Sequence, residues 1–313
     1  MMNLTSSNQT QLIGHDDLLL TLKNLFDVNK LPNRILFSGQ KGIGKCTLSY
    51  HLSNYILSKK EDFSYNLQKL EINKNNKSYK LVGNNSHPNF YLINLKEDKK
   101  NIEISQIRDM IYFTNKSSFN NEHKIIIIDN LEYLNSNSTN ALLKVIEEPN
   151  NKVLFFLIHD NQKKIFNTLK SRCIEFKVNL QKKENNKILS SLIDSKFYNE
   201  LNNDFKHYYN TPGEYVSLYN YFSNLKINFK DISIEEFIKN IINNNSFKKN
   251  TYIKDNLIKF IELFFFKKIK NQKAKKNIYS QYNLFLNKIN DVKKYNLDIE
   301  SFLIEFNSKL ING

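Results

Sequence analysis

What the chain lacks narrows its chemistry. Only Cys46 and Cys173 are cysteines among 313 residues, so neither a disulfide scaffold nor a four-cysteine zinc site is available. Tryptophan is absent, and four prolines and seven glycines are too few for a collagenous or low-complexity chain. No apolar run approaches the ~18 residues of a membrane span. Residues 1–11 show no charged-then-apolar leader pattern. A reducing cytoplasm, away from membranes, is the expected home. Arginine is scarce as well: Arg34, Arg108 and Arg172 are the only three among 46 basic residues. Where a chain so committed to lysine uses arginine, a planar two-pronged cation is expected to be needed.

What is present describes a globular protein. Hydrophobic residues make up 40% and charged residues 25%, in a length that suits one large domain or two to three small ones. The net charge of +15 suggests a polyanion among the partners. That suggestion is weak, because asparagine is about a sixth of the chain and Lys, Ile, Phe and Tyr abound, the bias of an AT-rich coding sequence. Histidines 15, 51, 87, 123 and 159 are evenly spaced, but their flanks share nothing, so no repeat is inferred.

Residues 12 to about 178 alternate between strand and helix patterns. Strands are predicted at Arg34–Ser38, Asn89–Asn94, Lys124–Asp129, Val153–Ile158 and Ile174–Val178. Helices are predicted at Cys46–Leu57, Ser105–Asn115, Asn137–Glu147 and Gln162–Lys170. Ile125–Ile128 does not alternate with polar residues, which predicts a strand buried on both faces, and the whole pattern predicts a parallel α/β sheet. Beyond residue 178 strand signals fade. Short helices are predicted over 181–210, a break at Thr211-Pro212-Gly213, and longer helices over Phe237–Ile242, Leu257–Ile269 and Leu284–Val292. Three domains follow: α/β over 1–178, a small helical domain over 179–213 and a larger helical domain over 214–313. Glu61–Ser86, rich in Asn and Lys, is predicted to be a mobile insertion.

Gly39-Gln40-Lys41-Gly42-Ile43-Gly44-Lys45 lies between a strand and a helix. Gly39, Gly42 and Gly44 let backbone N–H groups turn inward around an anion, the helix N-terminus adds its dipole, and Lys45 meets the outer phosphates. The next position should carry a hydroxyl for Mg²⁺. Here it is Cys46, a soft ligand for a hard cation, and Thr47 points elsewhere on the helix. Asp129 ends the buried strand, where an acid supports the metal. Asn130 follows it, and an amide cannot take a proton from water. ATP or ADP binding stays open, while hydrolysis is expected to be absent or very weak.

Further segments occur in order: Leu12–His15, Leu31–Asn33, His87-Pro88, Gln106–Arg108, Asn140–Pro149 (NALLKVIEEP) and Ser171-Arg172-Cys173. With the phosphate loop, they resemble the delta-prime subunits of the bacterial DNA polymerase III clamp loader, within the AAA+ family. The likeness is strong over 12–178 and thin beyond. It implies a P-loop α/β domain, a helical lid and an all-α collar that joins subunits. It also implies gamma/tau and delta partners, loading of a sliding clamp onto primed DNA, and a rigid subunit whose Arg172 reaches the ATP site of a neighbour. Many relatives carry a four-cysteine zinc module after the P-loop helix, so no zinc is expected here. Active relatives place an arginine just after a Pro-Gly pair, where this chain has Glu214. Lys144 would face DNA in that family, though a solvated lysine is an equal reading, and the basic stretch Lys267–Lys276 reads more as a solvated helix face. Two alternatives stay open: an active AAA+ ATPase of gamma/tau type, and a stand-alone basic DNA-binding protein.

Overall fold

The computed structural model describes residues 5–96, 99–147, 152–193, 195–206, 210–271, 275–295 and 299–308. Five parallel strands, β1 (Arg34–Gly39), β2 (Phe90–Ile93), β3 (Lys124–Ile128), β4 (Val153–Asp160) and β5 (Ile174–Lys177), form one sheet in the order β2-β3-β4-β1-β5. The two unbroken apolar runs, β3 and β4, are buried along their whole length, as expected for interior strands of a sheet covered on both faces.

Successive side chains on a strand point to opposite faces, and the core divides accordingly. On one face Ile35, Phe37, Ile125, Ile127, Leu154 and Phe156 pack with α1 (Asp16–Asp27) and α2 (Lys45–Leu57). On the other, Leu36, Ile126, Ile128, Phe155 and Leu157 pack with helices lying between the strands. Those helices come after α3 (Lys77–Gly83) and are α4 (Ile104–Asn115), α5 (Ser136–Glu147) and α6 (Asn167–Lys170); α7 (Lys182–Leu192) follows β5.

Two expectations need correction. The helix predicted over Gln162–Lys170 is confined to Asn167–Lys170. Asp160 holds the preceding residues in a turn, its carboxylate accepting from the Gln162 N–H at 3.1 Å and its carbonyl from the Lys163 N–H at 2.9 Å. The supposed mobile insertion Glu61–Ser86 is a packed part of the domain: Tyr65, Leu70 and Ile72 join the core beside α2. Its asparagines act as local structure makers rather than as solvated filler. Asn76 is fully buried, caps α3 through the Tyr79 N–H at 2.7 Å, accepts from Asn54 and donates to the Phe63 carbonyl. Glu61 accepts the Lys77 and Ser78 N–H groups at the same helix start.

The chain divides into two compact units, one of residues 1–192 with 211–214, the other of residues 193–210 with 215–313. The second is helical: α8 (Ser195–Glu200), most of α9 (Pro212–Leu225), α10 (Ile234–Asn243), α11 (Ser246–Lys249), α12 (Thr251–Asn271), α13 (Lys275–Tyr295) and α14 (Ile299–Phe306). Edge-to-face rings of Phe205, Phe222, Phe237 and Phe260 build part of its interior. Phe264 and Phe265 pack with Phe306 of α14. Among the described residues no helix is long and apolar enough to cross a membrane.

Candidate functional site

The loop after β1 is shaped by hydrogen bonds to its carbonyls. Lys45, at the first turn of α2 and only 5% exposed, donates to the carbonyls of Gly39 at 2.7 Å and Gln40 at 2.6 Å. The Lys41 carbonyl accepts from the Thr211 hydroxyl at 2.9 Å, and the Gly42 carbonyl from the Gly213 N–H at 2.9 Å. His15 donates from Nε2 to the Ile43 carbonyl at 2.7 Å, and the Gly44 carbonyl takes the Leu48 N–H at 2.9 Å. Across a trans peptide, N–H and C=O point opposite ways, so the N–H groups of Gly42 to Lys45 turn away from these donors. Those N–H groups are the ones an anion-holding nest would use. Gly42 has φ +84°, and a Cβ there would lie 2.5 Å from the Thr211 hydroxyl, so glycine is required on two counts.

The surroundings are acidic. Burial lowers the Lys45 pKa, and the carboxylates of Asp160, Asp129 and Glu132, in that order, oppose the shift. Asp160 stands opposite Gly39 in the β1–β4 register, and Glu132 accepts the Asp160 N–H at 3.2 Å. Asp129, at the end of β3, accepts the Asn130 N–H at 2.9 Å, and burial raises its carboxyl pKa. Burial, with the Asp129 carboxylate beside it, pushes the Cys46 thiol pKa well up. Thr47, about 100° farther round α2, is half-buried.

These residues fit part of a nucleotide and reject another part. The loop N–H groups suit phosphate oxygens, and a bound nucleotide would be held there by Gly42 and Gly44 and by Lys45 on leaving the Gly39 and Gln40 carbonyls. A magnesium ion does not fit, because the start of α2 offers the soft sulfur of Cys46 where that hard cation takes an oxygen. Among the described residues no three His, Cys, Asp or Glu side chains are grouped to hold a metal.

Arg172 lies elsewhere, just past α6. Its Nη2 is 2.7 Å from Glu147 Oε1, its Nη1 donates to the Thr168 carbonyl at 2.9 Å, and the side chain is 37% exposed. The guanidinium is thus neither sealed in nor free: it rests on a half-exposed carboxylate at the end of α5. Arg34 holds the same helix end, donating from Nη1 to the Ile146 carbonyl at 2.8 Å. Lys144 and Arg108 are exposed on α5 and α4. Glu148 and Pro149, and part of Lys267–Lys276, lie outside the described residues.

Sequence reasoning missed Asp160, Glu132 and the Glu147 partner of Arg172. Asp160 was legible: it stands two residues past an unbroken apolar run, as Asp129 stands one past its own, and parallel strands end at one edge.

A sheet of this order, with a phosphate loop between β1 and α2 and an acid ending β3, defines a P-loop protein of AAA+ type. The chain belongs to a family described as DNA polymerase III, delta subunit, whose model matches residues 14–183. It is 33% identical over 160 residues to the DNA polymerase III subunit delta' of Buchnera aphidicola subsp. Schizaphis graminum, covering 50% of this chain and 45% of that protein. To the DNA polymerase III subunit gamma of the same organism it is 30% identical over 175 residues, covering 56% and 46%. These matches span less than half the length of the relatives. Among solved structures, a gamma subunit-related protein of Thermotoga maritima aligns with TM-score 0.51 at 19% identity, covering 90% of this chain and 96% of that one, a likeness of fold.

Proposed function

We propose that the chain is a delta-prime-type subunit of a DNA polymerase III clamp loader. It does not itself hydrolyse ATP but supplies Arg172 to the ATP site of a neighbouring gamma/tau subunit while a sliding clamp is loaded onto primed DNA. The observation that carries the reading is the placement of Arg172: an accessible guanidinium held by one half-exposed carboxylate, Glu147, and by the Thr168 carbonyl. Such a pair costs little to break, so the cation can be exchanged onto a phosphate as charge develops there. Family membership supports the assembly, and the chain's own pocket supports the division of labour. That pocket has Asn130 where a base is needed, a thiol where a metal ligand is needed, and carboxylates around its lysine.

In this reading residues 1–178 form the AAA+ domain, 179–213 a lid and 214–313 the collar that meets gamma/tau and delta subunits in the cytoplasm. The test is single-turnover ATP hydrolysis by the reconstituted assembly, stimulated by clamp and primed DNA. Arg172→Ala is expected to slow the adjoining site by about 10³. Unchanged turnover rules out the finger. ATP hydrolysis by the purified chain alone at about 1 s⁻¹ would instead favour a gamma/tau-type motor.

A further inference from the structure

Two of the chain's three arginines converge on consecutive residues at one helix end. α5 stops at Glu147, so the Ile146 carbonyl is among the last four, which a helix leaves without an internal partner. Arg34 supplies that partner, donating from Nη1 at 2.8 Å. Arg172 takes the next residue, with Nη2 at 2.7 Å from Glu147 Oε1. The strand register explains how positions so far apart in sequence meet there. Ile35 stands opposite Ile174 in the β1–β5 pair, so Arg34 and Cys173 precede them at the same edge of the sheet. Side chains alternate along a strand, and Leu36 and Cys173 both pack on the face that carries α4, α5 and α6. Arg34, two positions before Leu36, shares that face. Ile146 is fully buried there, so the end of α5 is fixed to the sheet one residue before the carboxylate.

Glu147 carries its charge at the negative end of the helix dipole, where a carboxylate is disfavoured unless a cation joins it. Left to itself, an ion pair between two half-exposed groups is marginal, because two side chains must be ordered to make it. Arg34 alters that balance. By tying the last turn of α5 to the start of β1 it removes backbone motion from the carboxylate's side of the pair. The Thr168 carbonyl, 2.9 Å from Nη1, does the same for the guanidinium. Arg172 is thereby held along its own surface, and while held it is absent from a neighbour's phosphate. The fraction so held lowers the fraction able to act. The restraint weighs most when the neighbouring site is loosely formed, since a weak second partner competes poorly with Glu147.

We infer that Arg34 is a positioning residue for the finger: it sets the end of α5 so that Glu147 keeps Arg172 withdrawn from the neighbouring site between turnovers. The inference rests on the finger reading and adds a restraint to it. The reconstituted assembly is assayed for ATP turnover with and without clamp and primed DNA. It carries Glu147→Gln, Arg34→Leu or Arg34→Lys, each with Arg172 intact and with Arg172→Ala. Glu147→Gln and Arg34→Leu are expected to raise the ratio of unstimulated to stimulated turnover about threefold. Arg34→Lys, which keeps a donor for the Ile146 carbonyl, is expected to stay near wild type. With Arg172→Ala the rise should vanish, which a merely structural role for Arg34 does not predict. Arg34→Met, nearer in length, serves if the leucine variant does not assemble. An unchanged or lower ratio for either the Glu147 or the Arg34 variant overturns the inference, as does a rise that survives Arg172→Ala. If Arg172→Ala is itself slow, those results remove the restraint and leave the finger. Turnover unaltered by Arg172→Ala removes both.

Discussion

Lys45 and Arg172 are two cations of one domain in opposite circumstances. Lys45 is 5% exposed, bonded to two carbonyls of its own loop and set among three carboxylates. Arg172 is 37% exposed and rests on one carboxylate that is itself 48% exposed. The first has its charge balanced inside the fold and is costly to move. The second has a partner it can leave. A cation meant for another molecule must be solvated enough to reach it and bound loosely enough to go, and only Arg172 meets both conditions.

The largest expected effect is the loss of about 10³ in turnover at a neighbour's site for Arg172→Ala, with the chain's own melting temperature nearly unchanged. A large drop in thermal stability for that variant would erase the contrast with Lys45. Lys45→Ala is expected to destabilise the chain by about 3 kcal/mol in urea unfolding, since it strands two loop carbonyls and leaves the carboxylates without a counter-ion. A neutral result would mean the pocket is as loosely held as the surface pair.

Acid separates the two regions further. His51, on the helix that Lys45 opens, is fully buried between the Tyr65 hydroxyl and the Gln9 carbonyl, and burial lowers its pKa to about 4. Because the folded value lies below the unfolded one, its contribution is whole above about pH 6.5 and is lost as pH falls toward about 4. The loss amounts to about 3 kcal/mol, and His51→Gln should flatten stability across that window. A wild-type melting temperature that does not fall between those pH values sinks the assignment. The smallest effect belongs to Glu147→Ala. Removing a half-exposed ion pair should change stability by about 0.5 kcal/mol while leaving neighbour-site turnover intact or faster. A fall in that turnover comparable with Arg172→Ala would show that Glu147 aims the guanidinium rather than merely parking it.

Much of the first unit is written locally. Unbroken apolar runs mark β3 and β4, and the glycines and lysine of the loop mark the turn between β1 and α2. The Arg172 and Asp129 positions were nameable from motif and strand end. The misjudged parts share a cause. Glu61–Ser86 looked like solvated filler because its composition is polar, yet Asn76 and Ser78 are buried with partners distant in sequence. Polar residues that satisfy one another leave no hydrophobic period to detect. The Gln162–Lys170 helix pattern yielded to a single carboxylate, Asp160, whose turn captured the first residues of the segment.

Residue order alone determined the alternation of strand and helix, the phosphate loop, its missing hydroxyl and the isolated arginine, because each depends on neighbours within a few positions. Tertiary structure decided what those residues face. Lys45 meets carboxylates drawn from the ends of two strands, Thr211 and Gly213 come to the loop from 170 residues away, and Arg172 settles on Glu147. Electrostatic partners are chosen by distance in space, and that distance exists only once the sheet has closed.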